Sequence, residues 1–299
     1  MIALETWRAR TQFFQANGHQ LAFWTSAQID EERPWLVLIH GYPTSSWDWS
    51  AIWPALDQHF NLIAMDMLGF GLSDKPTHVK YSIFDQADLF EALLAHLSVG
   101  EAHIFAHDYG DTVAQELLAR HHEGQLSFSA KSICFLNGGL FPEQHRARAI
   151  QKFGLTPLGF LIGTLLNRDK LRQNFDAIFG QETKASDIEI DGHWSLIEEH
   201  RGARVLHKLL QYIPERRANR ERWVGAMQQT SIPLRLINGG FDPISGRHAC
   251  EHYRTLIPNP DAVMFEDIGH YPHTEAPAQV IEAFFDFHHL PKKEIANER

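Results

Sequence analysis

Residues 104–118, IFAHDYGDTVAQELL, decide the fold. A short apolar run, Ile104-Phe105-Ala106, leads into His107-Asp108-Tyr109-Gly110, and a helix-forming segment follows from about Asp111. The run predicts a buried strand, and the segment after it predicts a helix. Ala106 and Gly110 stand two positions either side of Asp108, so the chain can turn sharply there and leave the central side chain exposed above a sheet. Asp108 reads in two ways, as a nucleophile at the tip of that turn or as the helix N-cap. Asp111 could cap with less strain, so the first reading depends on partners elsewhere in the chain.

Working outward, the same strand-then-helix alternation recurs. TQFFQA and QLAFWTSA flank an Asn-Gly turn and predict an N-terminal antiparallel hairpin. WLVLIH (35–40), FNLIAMDM and SICFLNG are continuous apolar runs, as strands covered on both faces require. Between them, Ser46–Leu56 and SIFDQADLFEALLAHL predict helices, the second with apolar residues three and four apart. This is an α/β order with a mostly parallel central sheet. From Leu140 to about Thr230 the pattern becomes helical, and then IPLRLING, GRHACEHYRTLI, AVMFEDIGH and QVIEAFFDFHHL resume strand and helix. The expected organisation is a core of residues 1–139 and 230–299 with a helical lid, 140–229, inserted over the carboxyl ends of the strands. The charge run ERRANRER, 215–222, is expected on the solvated face of a lid helix.

The partners of Asp108 come after the lid. FDPIS places Asp242 just past one strand, and GHYPHTEAP places His270 just past the last. A turn-borne nucleophile followed by an acid and then a histidine is the chain order of one hydrolytic triad arrangement.

Composition removes other classes. A net charge of −10 argues against nucleic acid, whose binding rests on clustered Lys and Arg. Cys134 and Cys250 are too few for a disulfide framework and lack metal or redox spacing, and the nineteen histidines show no ligand spacing. The expectation is therefore no metal and no cofactor. With no signal peptide and no apolar run long enough for a membrane span, the sequence predicts a cytoplasmic, unanchored protein. Its partners are expected to be water and a small, largely apolar substrate.

HGYPTSSWDW, DMLGFGLSDKP, AHDYGD, FDPIS and GHYPHTEAP resemble the α/β-hydrolase superfamily over nearly the whole chain. Within it, the chain resembles the branch with an Asp nucleophile, which includes epoxide hydrolases and haloalkane dehalogenases. HDYGDTVAQELL, LNGGLFPEQHR and LLQYIPERRANRERWVGAM are most similar to the mesoderm-specific transcript protein family. The resemblance implies an α/β-hydrolase fold and a covalent ester on Asp108. His270, held by Asp242, would activate water, and the backbone amides of Tyr42 and Tyr109 would hold the oxyanion.

The leaving group separates the alternatives. Epoxide hydrolases protonate it with lid tyrosines, and the expected lid contains one, Tyr212, with His193 or His207 as further candidates. Dehalogenases typically carry Trp after the nucleophile and Asn after His-Gly, where this chain has Tyr109 and Tyr42. Trp47, Trp49, Trp194 and Trp223 are the tryptophans left to cradle a halide. The reading is epoxide-hydrolase-like chemistry, with haloalkane dehalogenation, ester or lactone hydrolysis, and a non-catalytic ligand-binding module as alternatives.

Overall fold

The computed structural model describes residues 1–291. Eight strands form one sheet: β1 (Gln12–Ala16), β2 (His19–Thr25), β3 (Trp35–Ile39), β4 (Asn61–Met65), β5 (Glu101–His107), β6 (Ser129–Leu136), β7 (Leu234–Gly239) and β8 (Ala262–Phe265). Their spatial order is β1-β2-β4-β3-β5-β6-β7-β8. β2 pairs antiparallel with β1 and β4, and every other pair is parallel. The hairpin β1–β2 turns through Asn17-Gly18, as expected from the sequence.

Alternation along the central strands explains why both faces are covered. Val37, Ile63, Ile104, Ala106 and Phe135 point to one face, where Phe90 and Leu93 of the helix Ile83–His96 and Val113 and Leu117 of the helix Tyr109–His122 meet them. Leu36, Leu38, Phe105 and Leu136 point to the other, against Trp7, Trp53 and Phe284. The Phe105 and Phe284 rings stack with centroids 4.3 Å apart. Fully burying one such side chain contributes about 2–3 kcal/mol, so these two layers fix the strand ends in place.

Three local details differ from the sequence reading. A helix at Leu4–Ala9 precedes the hairpin, anchored by buried Trp7. The helix expected over Ser46–Leu56 is a 3-10 stretch, Ser46–Ala51, followed by a single α turn, Trp53–Leu56. Short polar side chains compete there for local bonds, since Ser45 accepts from the Trp47 amide and Asp66 accepts from both the amide and the hydroxyl of Ser46. β8 ends at Phe265, because the chain must leave the sheet edge to carry Gly269 and His270 across the strand ends.

Between β6 and β7 the described residues contain helices and no strand, including Arg168–Asp176, Asp187–Glu198, Tyr212–Ala218 and Arg220–Gln229. The charge run 215–222 is not simply a solvated face. Arg216 is 2% exposed, Glu215 accepts from the Ile83 amide at 2.9 Å, and Arg222 pairs with buried Glu116 at 2.7 Å. Its charges find partners on the core helices, which no periodicity in the run reveals. Among the described residues no helix is long and apolar enough to cross a membrane.

Candidate active site

The parallel strands deliver the site. In the order β3, β5, β6, β7, β8, the residues just past their carboxyl ends are Tyr42, Asp108, Asn137, Asp242 and His270, side by side along one edge of the sheet. Asp108 sits at φ 48°, ψ −102°, a conformation that costs about 1–3 kcal/mol for a residue with a side chain. The cost is borne because the turn is clamped on both sides. A Cβ on Gly110 would lie 2.4 Å from the Ile39 carbonyl oxygen, so only glycine lets the helix Tyr109–His122 start this close to β3. Asp108 makes no side-chain cap bond to that helix, so the N-cap reading of its side chain falls away.

The carboxylate is buried and held from two directions. Oδ2 accepts from the Tyr42 amide at 3.1 Å, and Oδ1 lies 3.9 Å from His270 Nε2. Behind His270, Nδ1 is 2.7 Å from Asp242 Oδ2. Asp242 also accepts from the amides of Ile244 and Ser245, the Ser245 hydroxyl and the Asn137 side-chain amide. Burial alone would push the His270 pKa down, but the charge and hydrogen bond of Asp242, aided by Asp108 and Glu275, raise it to about 9. Burial alone would raise Asp242, and the charge and bond of His270 bring it down to about 2. Each group thus favours the charged form of the other.

The structure brings Asp108, Asp242 and His270 together as the sequence suggested, with Tyr42 donating to the first. Tyr109 follows Asp108 as the first residue of its helix, with its ring packed against Tyr212 at 4.9 Å. Tyr212 is 1% exposed, 6.4 Å from the Tyr42 ring, and its hydroxyl has no hydrogen-bond partner among the described residues. Burial first, and then the charge of Asp108, push its pKa well up, so the group stays a phenol. His193 and His207 do not join it. His193 lies 3.7 Å from Asp48. Neither histidine lines the cavity over Asp108, and Tyr212 is not among its lining residues either; it stands behind them, against the Tyr42 and Tyr109 rings.

That cavity lies between the strand ends and the helical segment and holds about 670 Å³ of space between atoms, part of it open to solvent. Asp108 and His270 form its floor, and Ile162, Leu166, Leu171, Phe175 and Ile178 are among its apolar walls. Arg148, Gln151 and Asn174 add polar atoms that the sequence reading did not single out. None of Trp47, Trp49, Trp194 and Trp223 reaches it.

Three supporting residues also escaped the sequence reading. Asn137 bridges β6 and β7 by donating to Asp242 and to the Gly239 carbonyl. Glu275 accepts from the amides of Gly180, Gly269 and Tyr271, tying the His270 loop to the helical segment. A Cβ on Gly269 would come within 2.2 Å of the Ile178 carbonyl oxygen, which explains glycine at that contact. Arg216 donates to the Asp108 carbonyl at 2.9 Å and to the Thr112 hydroxyl, with its guanidinium 4.4 Å above the Tyr212 ring. The signal in the sequence was present for Asn137, in LNG just past a strand, and for Glu275, in GHYPHTE, but residue type alone gave neither a role.

Comparison with known families agrees with this architecture. The family model for the alpha/beta hydrolase fold matches residues 34–277. The mesoderm-specific transcript homolog protein of Bos taurus is 40% identical over 294 residues, covering 95% of this chain and 88% of the relative. The chain belongs to the α/β-hydrolase superfamily and, within it, to the mesoderm-specific transcript family. Two solved structures share the fold at lower identity. Haloalkane dehalogenase DbeA from Bradyrhizobium elkani superposes with a TM-score of 0.74 at 21% identity, covering 93% of this chain and 96% of that one. The epoxide hydrolase CorEH superposes with a TM-score of 0.72 at 21% identity, covering 93% and 97%.

Proposed function

We propose that this chain is a hydrolase that works through a covalent alkyl ester on Asp108 and opens epoxides to diols, with residues 140–229 as the lid over the substrate. The observation that carries the reading is the Asp108 carboxylate, held at a strained turn with one oxygen on the Tyr42 amide and the other facing His270. Asp108 Oδ1 attacks an epoxide carbon, the carbon–oxygen bond breaks, and the oxygen takes a proton from the Tyr212 hydroxyl. A carboxylate suits attack at sp3 carbon because the product is an ordinary ester that water can cleave.

His270, once it has given up its own proton to solvent, takes a proton from water, and the hydroxide adds to the ester carbonyl carbon. The oxyanion forms at Oδ2, where the Tyr42 amide already donates, with Tyr109 as the second expected donor. Collapse expels the diol oxygen, which takes the proton from His270. The carboxylic acid left on Asp108 returns the remaining proton to Tyr212. Forming the ester removes the Asp108 charge, one of the causes that raise the Tyr212 pKa, so the hydroxyl becomes a better acid as the alkoxide develops.

The apolar walls support a largely apolar substrate, and the tryptophans standing away from the cavity weigh against a Trp-lined halide cradle. The same fold is shared by an epoxide hydrolase and a haloalkane dehalogenase. Buried free thiols at Cys134 and Cys250 agree with a reducing, cytoplasmic setting. The test is turnover of an epoxide panel in heavy-oxygen water. Label entering the Asp108 peptide during the first turnover supports the covalent route, and an unlabelled peptide after several turnovers refutes it. A matched haloalkane panel, read by halide release, separates the two leaving groups.

A further inference from the structure

A second cluster of functional groups lies behind the catalytic edge, outside the cavity. Asp48 comes from the 3-10 stretch after β3, His107 from the end of β5, His273 from the turn Pro272–Glu275, and His193 from the helix Asp187–Glu198. All four are at least 96% buried. Asp48 Oδ2 accepts from the Thr44 hydroxyl, and its other oxygen has no partner among the described residues. His107 Nε2 donates to the His270 carbonyl at 2.8 Å, which leaves Nδ1 as a bare lone pair with no donor facing it. His193 Nδ1 and both ring nitrogens of His273 are likewise unpartnered.

Leaving several polar atoms unpaired in the interior costs about 1–3 kcal/mol each, so such a cluster calls for an occupant. The atoms converge. One ligand atom each from Asp48, His107 and His273 lie within 4.8 Å of one another. His193 stands outside that mutual set and approaches it through Asp48, with Nδ1 3.7 Å from Oδ1. A tetrahedral zinc site with bonds near 2.0–2.1 Å places its ligand atoms about 3.4 Å apart, so side-chain movements of roughly an ångström would close the set of three, and His193 would have to swing in as the fourth ligand.

We propose that Asp48, His107, His193 and His273 bind a divalent transition metal ion of the zinc class. Three imidazoles and one carboxylate are a borderline donor set suited to such an ion rather than to calcium or magnesium, which prefer all-oxygen shells. Burial pushes the His107, His193 and His273 pKa values down, towards the neutral ligating form, and pushes the Asp48 carboxyl well up, so taking up an ion would release the Asp48 proton. Trp49 against His273 and Trp47 against His193 provide an apolar wall, with centroids 4.7 and 5.0 Å apart. His193 is the ligand from the helical segment, so the ion would tie that segment to the core, and opening of the segment would give it an entry path. Through His107 it would also bear on the backbone of His270 without touching substrate.

The test is titration of metal-free protein with cobalt(II), followed by zinc(II) competition. The expected result is visible ligand-field absorption that saturates at one ion per chain and is displaced by zinc. Affinity should fall at least tenfold in His193→Ala and His273→Ala, and stay unchanged in His122→Ala, an exposed histidine. Zinc should raise the melting temperature of the wild type by several degrees and that of Asp48→Asn much less, a readout that survives if either histidine variant fails to fold. Absence of stoichiometric absorption, or equal binding in wild type and His273→Ala, overturns the proposal. The first result would assign the cluster to buried water, and the second to surface histidines.

Discussion

Replacing Asp242 by Asn removes the largest influence that holds His270 protonated. The Asp242 and His270 side chains are buried, their ring nitrogen and carboxylate oxygen 2.7 Å apart, and the pKa of His270 rises from 6.5 to about 9. At about 1.4 kcal/mol per pH unit, that difference corresponds to about 3 kcal/mol of preference for the imidazolium. Asn keeps the shape and a hydrogen bond but not the charge, so burial becomes dominant and the His270 pKa falls below 6.5. His270 must be neutral to take a proton from water, so cleavage of the Asp108 ester rises with pH. In the wild type the midpoint is expected between 6.5 and about 9, because the esterified Asp108 no longer contributes its charge. In Asp242→Asn the midpoint drops below 6.5, and the plateau rate falls by about 10³–10⁴-fold, as triads lose when the orienting acid becomes an amide. The assay is single turnover of an epoxide with quenching across pH and mass measurement of the alkyl-enzyme. An unmoved midpoint, or an undiminished plateau, refutes the coupling.

The same pair affects folding in the opposite direction. Stability from the raised His270 is fully present below pH 6.5 and is lost as pH rises through about 9, so wild-type urea midpoints should fall over that window and those of Asp242→Asn should not. His193 and His273 are depressed to about 3, so in metal-free protein each costs up to about 1.4 kcal/mol per pH unit as pH falls from 6.5 towards 3. His273→Gln should flatten that acid limb, and an unchanged slope would count against a buried neutral imidazole. Tyr212→Phe should slow epoxide opening by about 10²–10⁴-fold while leaving stability within about 0.5 kcal/mol, because the hydroxyl it removes has no partner. Unchanged alkylation kinetics would remove Tyr212 from the mechanism. Arg216→Ala should cost about 3–5 kcal/mol in denaturant unfolding, since it unpairs the Asp108 carbonyl and the Thr112 hydroxyl and leaves Asp111 without its nearby cation. A loss under about 1 kcal/mol would show that the guanidinium is not the clamp its geometry describes.

By itself, the sequence determined the order of strands along the chain and put forward Asp108, Asp242 and His270 as candidates at three strand ends. That information is local. Buried strands are continuous apolar runs, a strand-to-helix turn needs small residues around its tip, and in a parallel sheet every strand end arrives at the same edge. A residue placed just after a strand is therefore placed in space as well. The 3-10 path of Ser46–Ala51 was not legible, because its cause is the carboxylate of Asp66, on a strand's far end and bonded to Ser46 across the fold. The burial of Arg216 was equally hidden, since its neighbours resemble a solvated charge run and its partners sit on the helix after Asp108. The cluster of Asp48, His107 and His273 spans 226 positions of chain with no ligand spacing; packing of three core segments brings those atoms together, and packing of the helical segment sets His193 beside Asp48. Chain order fixes what each strand end carries, but contacts between distant segments depend on side-chain packing and charge pairing, which no single stretch of sequence encodes.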